Sequence, residues 1–346
     1  HRLSYEEAQH IIETEEKIIP KEKTILNKEK KVTNKLVEAV TTLNQVAKTI
    51  RKKRINSGAI IFDKSEIKFK LDEKNKPKEV VFKTAKSANK LIEEFMLLAN
   101  RKVAEKMKKG KERFVFRVHD QPDEEKLKNL QTVVKRLGYN LDLKKNNLND
   151  SLNTLLENTF GKNEQNLIDT LMIRSMSKAE YTTKNIGHYG LAFDNYTHFT
   201  SPIRRYPDVL VHRLIEAELK NEKIKTEELE TLCNHSTHME ILATKAERDS
   251  IKLMQIKYML DKEGKIFEAV ISGVTARGVF VEVVENKCEG LVKAKDLPGD
   301  FYVHDEKNHQ FVGEKTGKKY QLGDKTRVML IKADQVKRRL DFQILS

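Results

Sequence analysis

Cysteine is scarce in this sequence of 346 residues: Cys233 and Cys288 are the only two. They lie far apart and belong to no CxxC or Cys/His pattern, which argues against a disulfide framework and a zinc site. No apolar run approaches the ~18–20 residues of a membrane-spanning helix, and no signal peptide is recognisable. We therefore expect a soluble cytoplasmic protein with no membrane partner. The first residue is His1 and not Met, which indicates a fragment or a processed product.

Positive charge is abundant. The formal net charge is +14, and hydrophobic residues make up 38% of the chain, enough to form a core. An excess of this kind is typical of proteins that bind a polyanion, most often nucleic acid. A lysine-rich surface kept for solubility is the alternative explanation.

Hydrophobic periodicity divides the chain into a mixed part and an all-β tail. It predicts helices over residues 4–18, 29–54, 86–107, 123–137, 148–158, 164–176, 202–220 and 226–262. Strands are predicted at 59–62, 67–71, 80–82 and 113–118, and residues 179–200 are irregular or strand-like. From Gly264 the period changes to that of strands, so residues 264–346 should form a small all-β unit.

The most informative segment runs from His198 to Asp208. Ser201 suits a helix N-cap and Pro202 the first helical position, which would place Arg204 and Arg205 in the first turn. Cations there oppose the helix dipole, unless an anion such as phosphate meets both them and the free N–H groups. The alternative is that the arginines pair with acids such as Asp208.

This segment resembles the signature of the ribonuclease II/R (RNB) family of exoribonucleases, especially its ribonuclease R branch. The similarity is colinear and includes His1–Ala8, Gly58–Phe62, Leu91–Asn100, Arg117–Asp120, Gly187–Leu191, Thr200–Asp208 and His212–Leu214. It implies an α+β fold: residues 1–262 would be the C-terminal portion of the RNB catalytic domain, and an OB-fold β-barrel would follow at 263–346. It also implies processive 3′→5′ hydrolysis of RNA to nucleoside 5′-monophosphates. The expected partner is single-stranded RNA with a free 3′ end, bound by a monomer.

The resemblance assigns roles to individual residues. Arg204 would contact the scissile phosphate region, Tyr5 the 3′ end and Glu93 the last nucleotide, while Phe62 would stack on terminal bases. Ser201 and Arg205 would share in binding RNA. On helical geometry, Glu93 should lie at the edge of the buried face centred on Ile92 and Val103, and Glu94 should be solvated. Core packing is the alternative role for Tyr5 and Phe62.

The family's aspartate cluster is absent from the sequence. The family binds Mg²⁺ through four aspartates in one loop, and we expect that loop upstream of the segment that matches His1. Two-metal hydrolysis requires such carboxylates, so we predict that this chain alone is inactive. The rival hypothesis is a non-catalytic RNA-binding module that lacks the metal site.

Residues 264–346 resemble the S1 RNA-binding domain, an OB-fold barrel. Val279, Val281 and Val283 should point into the barrel, which turns Phe280 outward as a stacking platform for RNA bases. Coverage of Phe280 by the neighbouring domain is the alternative. The resemblance adds Phe267 and Lys293 to the RNA-binding set. The histidines near the RNB signature, His188, His198 and His212, are expected to be structural.

Overall fold

The structure is a computed structural model that describes residues 1–62, 66–110, 113–144, 148–162, 164–222, 226–306, 308 and 310–345. Its helices are α1 (Tyr5–Thr14), α2 (Asn34–Asn56), α3 (Ser87–Met107), α4 (Glu124–Arg136), α5 (Leu148–Thr159), α6 (Gln165–Ser175), α7 (Tyr206–Lys220) and α8 (Leu229–Met259). Its strands are β1 (Ile18–Ile19), β2 (Lys30–Lys31), β3 (Glu66–Leu71), β4 (Pro77–Lys83), β5 (Phe116–Val118), β6 (Glu180–Thr182), β7 (Ile266–Thr275), β8 (Gly278–Val283), β9 (Glu289–Lys293), β10 (Tyr302–Asp305), β11 (Gln310–Gly313), β12 (Lys319–Gln321), β13 (Lys325–Asp334) and β14 (Arg339–Ile344). The predicted mixture of helices and sheets followed by an all-β tail is confirmed.

The chain forms two compact units. The first contains His1–Lys64, Thr84–Pro122 and Met176–Glu240, and the second contains Ser65–Lys83, Asp123–Ser175 and Ile241–Ser346. This division does not follow the predicted boundary between residues 262 and 263, because the β3–β4 hairpin and helices α4 to α6 group with the barrel.

Helices dominate the first unit. Ser4 caps α1 through a capping box with Glu7, and Thr33 caps α2, so both helices begin where their first N–H groups find side-chain acceptors. Helix α1 packs against α2 and α3. A second apolar cluster joins the short β5–β6 ladder to α3, α7 and α8.

Residues 59–62, which periodicity predicted as a strand, form none. The Ala59 N–H donates to the carbonyl of Arg54 and so closes the end of α2, while the Ile60 N–H donates to the carbonyl of Gly190. These bonds tie the segment to a helix end and a loop, so Ala59 and Ile60 are buried without belonging to a ladder.

The second unit is built around a closed barrel in which the strand order is β13-β14-β9-β8-β7. Val279, Val281 and Val283 are fully buried inside it, as the alternation predicted. Closure brings β9 beside β14 at Gly290, where a Cβ would lie 2.5 Å from the carbonyl oxygen of Leu340. Only glycine allows this approach without a shift of the backbone.

Helices α4 and α6 flank this barrel within the second unit. Val133 of α4 and Leu167 of α6 pack with Leu322, which precedes β13. The guanidinium of Arg136 donates a hydrogen bond of 3.0 Å to the side-chain oxygen of Gln321. The barrel and these helices therefore share a packed surface.

Candidate functional site

The RNB signature folds as a turn that precedes α7. Residues 202–204 are in turn conformation and the helix begins at Tyr206, so Ser201 is not its N-cap and Arg204 is not in its first turn. The Ser201 carbonyl accepts hydrogen bonds from the N–H groups of Arg204 and Arg205, at 3.3 and 3.0 Å. The Ser201 N–H donates to Oδ1 of Asp208 at 2.8 Å. A carboxylate inside the helix shapes this turn, which is why cap rules placed the helix start too early.

Arg204 and Arg205 have different environments. Asp208 is 0% exposed, and its Oδ1 accepts a hydrogen bond of 2.8 Å from the Arg205 guanidinium. The alternative of pairing with Asp208 therefore holds for Arg205. Arg204 is exposed, and its side chain forms no hydrogen bond or ion pair with the residues that the structure describes. Its guanidinium is available for a ligand.

Two further side chains hold the backbone just before the turn. Oδ1 of Asn100, on α3, accepts hydrogen bonds from the N–H groups of Phe199 at 2.9 Å and Thr200 at 3.2 Å. His212, on α7, stacks on the ring of Phe199 and lies 2.9 Å from its carbonyl oxygen through Nε2. Our motif analysis did not identify Asn100 as functional. The available signal was an amide at the end of the apolar run Leu97-Leu98-Ala99.

The prediction for the glutamate pair of α3 is wrong. Glu94 is 1% exposed and is held by the buried guanidinium of Arg54, at 2.5 and 3.2 Å, with Arg51 at 3.4 Å. Glu93 is exposed. The buried face of α3 is rotated relative to the predicted one because it includes the Glu94 carboxylate and its ion pair. The prediction failed because an analysis of apolar periodicity assigns every carboxylate to the solvent-facing side.

Tyr5 and Phe62 belong to the same unit as Arg204 and Glu93. Tyr5 is the first residue of α1 and is partly exposed, so it is not confined to the core. Phe62 lies in an irregular segment and is half-buried, not in the predicted strand. The structure thus gathers Tyr5, Phe62, Glu93, Ser201, Arg204 and Arg205 into one compact unit.

A cluster of histidine and tyrosine rings lies beside the signature turn. His188 packs edge-on against Tyr196, and the Tyr181 hydroxyl is 2.7 Å from Nδ1 of His198. Burial lowers the pKa of His188 to about 3 and, together with the nearby Arg205 and Arg117, that of His198 to about 2. Burial also raises the pKa of Tyr181 to about 12. Neutral rings in fixed contacts fit the predicted structural role of these histidines.

The barrel separates its three predicted RNA-binding residues. Phe267 is 7% exposed and belongs to the barrel core, so its assignment to RNA binding is withdrawn: β7 turns Ile266 outward and Phe267 inward. Phe280 points outward and is half-buried. Lys293 shares this outer face, because Gly278 pairs with Lys293 and Phe280 with Leu291 in the β8–β9 ladder.

Phe280 lines a groove of about 650 Å³ between the barrel and helices α4 and α6. Leu130 and Val133 contribute apolar surface, and Lys126 and Arg174 contribute cations. The Phe280 ring lies over Gly273, where an added Cβ would stand 3.5 to 3.8 Å from the nearest ring atoms. The Phe280 ring is therefore packed on one side and borders open space on another. It is neither the fully exposed stacking platform nor the fully covered side chain that the sequence analysis considered.

The side chains that the structure describes do not fit a Mg²⁺ site. Within the described ranges, no group of three or more His, Cys, Asp or Glu side chains lies close enough to hold a metal ion. Asp208, the acid nearest to the turn in sequence, is engaged by Arg205 and by the Ser201 N–H.

Of the helices that the structure describes, none combines the length and apolarity that crossing a membrane requires.

Comparison with known proteins agrees with this architecture. The family model for the RNB domain matches residues 1–221, and that for the S1 RNA binding domain matches residues 260–345. Ribonuclease R of Aquifex aeolicus is 38% identical over 313 residues, which are 89% of this chain and 44% of that protein. Ribonuclease R of Escherichia coli is 33% identical, over 90% of this chain and 40% of that protein. The chain thus spans less than half the length of these relatives.

Solved structures give the same result. The apo form of Mycoplasma genitalium RNase R superposes with a TM-score of 0.85 at 26% identity, and the match covers 90% of this chain and 50% of that one. The same protein has been solved with ribose-methylated single-stranded RNA, with equal similarity to this chain. The resemblance inferred from the motifs is confirmed, and this chain belongs to the RNB family, with an S1 domain after its RNB domain.

Proposed function

We propose that this chain is part of a processive 3′→5′ exoribonuclease that hydrolyses RNA to nucleoside 5′-monophosphates. The observation that carries the proposal is the exposed guanidinium of Arg204, on a turn whose backbone is held by buried side chains. A guanidinium can bind a phosphate through two directed N–H bonds, and a fixed backbone lowers the cost of placing it. Ser201 contributes through the backbone of the turn, and Arg205 supports it through Asp208.

Residues in the same unit as Arg204 would bind the end of the RNA. Tyr5 and Glu93 are exposed and can reach a ligand, whereas Glu94 is enclosed by arginines. We therefore propose that Tyr5 contacts the 3′ end of the RNA and that Glu93 contacts the last nucleotide. Phe62 would stack on the terminal bases.

The substrate that we propose is single-stranded RNA with a free 3′ end. Phe280 and Lys293 on the outer face of the barrel offer a ring for a base and a cation for the backbone. The net charge of +14 favours such a polyanion. We further propose that the enzyme is a cytoplasmic monomer.

Mg²⁺ dependence is part of the proposal for the whole enzyme, but not for this chain. Because no described group of residues fits a metal, we assign no ligand to it and expect no cleavage by residues 1–346 alone. The same observation favours a second candidate, an RNA-binding module without catalysis. An aspartate cluster encoded in the reading frame upstream of His1 would support the enzyme, and a frame without one would support the module.

Substitution of Arg204 tests the enzyme in its full reading frame. Arg204→Ala should lower the single-turnover cleavage rate by roughly 10²-fold, or ~2.7 kcal/mol, because the guanidinium offsets charge that builds up on the phosphate. Affinity for RNA should fall much less, since many other contacts remain. Arg204→Lys should give an intermediate rate, because it keeps the charge and loses the fork.

Arg205→Ala is the matched control. It should affect the rate less than Arg204→Ala and lower the thermal stability more, because it leaves the Asp208 carboxylate buried without its partner. If Arg204→Ala cleaves at the wild-type rate while binding weakens, Arg204 only attracts RNA and the catalytic assignment is wrong.

A further inference from the structure

We infer that Asn100 is a positioning residue that sets where Arg204 meets the phosphate. The inference rests on the proposed phosphate role of Arg204. Asn100 is 3% exposed and lies on α3, about one hundred residues before the turn in sequence. Its carboxamide nonetheless forms hydrogen bonds to the segment that leads into that turn, through both of its ends.

Each hydrogen-bonding atom of this amide has a defined partner. Oδ1 accepts from two successive N–H groups, those of Phe199 and Thr200, and Nδ2 donates to the Tyr196 hydroxyl at 3.1 Å. Without Asn100, two partly buried N–H groups would lose their acceptor, which is costly, so the backbone would move to find another one. A buried amide with this pattern fixes the course of the backbone at Phe199 and Thr200, directly before the turn.

The position of Arg204 depends on that backbone. Its own guanidinium has no partner among the described residues, so side-chain contacts do not hold it. The turn is fixed after Ser201 by Asp208 and before Ser201 by Asn100 and His212. Asp208 and His212 both lie on α7, which continues from the turn itself. Asn100 is the anchor on a different helix.

That helix is also the one that carries Glu93. Asn100 follows Glu93 by seven residues, which is about two helical turns, so the two positions lie on one side of α3 about 10 Å apart along its axis. The amide therefore connects the helix of the proposed nucleotide-contacting glutamate to the turn of the proposed phosphate-binding arginine. Through this link, one rigid element sets the positions of both groups.

The residue type suits the task. An amide oxygen has two lone pairs for two N–H donors and carries no charge. An aspartate would have the same shape, but burying its negative charge without a paired cation would cost free energy. A serine is too short to reach the same donors.

The test measures how the affinity of the 346-residue chain for a short single-stranded oligoadenylate depends on salt. Each phosphate contact contributes about 0.7 to the slope of log K against log salt for single strands. Arg204→Ala should therefore lower the slope by about 0.7. Asn100→Leu should lower it by at least half of that change, and the double variant should match Arg204→Ala alone, because both act on one contact.

Thr197→Val is the matched control. Thr197 is fully buried in the same segment, and its hydroxyl donates to the carbonyl of Val115, away from the turn. Thr197→Val should lower the melting temperature and leave the salt slope unchanged. If Asn100 had only a structural role, Asn100→Leu would give the same result. If Asn100→Leu does not fold, Asn100→Ser, which leaves room for water, takes its place in the comparison.

A wild-type slope for a folded Asn100 variant, alongside a lowered slope for Arg204→Ala, overturns the positioning role and leaves the proposed function intact. Slope losses that add up in the double variant overturn it as well. An unchanged slope for Arg204→Ala has a different meaning: the phosphate role itself fails, and the inference fails with it.

Discussion

Asp208 shows how one buried carboxylate can assign different roles to neighbouring residues. It engages Arg205 and the Ser201 N–H and leaves Arg204 outside the network. A motif with two consecutive arginines does not reveal which of them is structural, since both have the same charge and reach. The choice depends on which guanidinium the turn directs towards the interior, and that is a property of the backbone.

The lowered pKa values of the two buried histidines next to this turn predict that stability depends on pH. Folding lowers the pKa of His188 and His198. Below about pH 6.5 both histidines therefore bind a proton in the unfolded chain and stay neutral in the folded chain, which favours unfolding. The contribution of the two neutral histidines to stability is fully present above that pH and is lost as the pH falls. Between pH 7 and 5.5 the free energy of unfolding should drop by about 1 kcal/mol for each histidine, measured by urea denaturation.

A variant separates this contribution from the rest of the acid titration. His198→Gln should make the free energy of unfolding less dependent on pH, because the site no longer binds a proton in the unfolded chain. Equal pH dependence in the wild-type protein and His198→Gln would show that His198 does not contribute to it.

At the scale of the element, α3 marks the limit of what periodicity could predict. Its bounds were predicted within a residue, but its buried face was not, because Ile92 and Met96 are exposed while Glu94 and Asn100 are buried. Polar groups can be buried when partners satisfy them, and those partners, Arg54 and the Phe199–Thr200 backbone, come from distant parts of the chain. A single helix window contains no information about them.

The strands of the barrel were easier to predict, since one face is packed and the other is not. Alternation placed Val279, Val281 and Val283 inside and Phe280 outside, as observed. The same rule, applied to Phe267, would have placed it in the core beside them. The resemblance put Phe267 in the RNA-binding set instead, and the structure corrects that assignment.

Phe280 provides a prediction about this barrel. Stacking on one base contributes ~1–3 kcal/mol, so Phe280→Ala should weaken the affinity of the 346-residue chain for single-stranded RNA at least severalfold. The measurement is a fluorescence titration with labelled oligoribonucleotide. Phe301, an exposed aromatic residue of the same barrel unit outside the groove, gives the control variant Phe301→Ala, which should bind as the wild-type chain does. Equal affinities for both variants would favour a packing role for Phe280.

At the scale of the whole molecule, colinear motifs predicted more than any physical pattern did. They gave the family and the order of its two domains, which the matches to residues 1–221 and 260–345 support. They did not give the division into compact units, in which α4, α5 and α6 group with the barrel. That grouping depends on long-range packing such as that of Val133 and Leu167 with Leu322, which no local segment encodes.

The last prediction concerns the activity of the whole chain. The purified 346-residue protein, supplied with Mg²⁺, should bind single-stranded RNA and not shorten it. The arginine that would stabilise the phosphate is present, but no described cluster of carboxylates can hold the ions that two-metal hydrolysis requires. The measurement is the release of labelled nucleoside monophosphates from RNA that is labelled along its whole length. Arg204→Ala, purified in parallel, identifies contamination, because a foreign nuclease would give equal release in both preparations. Release at enzyme-like rates by the wild-type chain, lost in Arg204→Ala, would show that residues 1–346 assemble a complete active site, and our account of the missing metal ligands would be wrong.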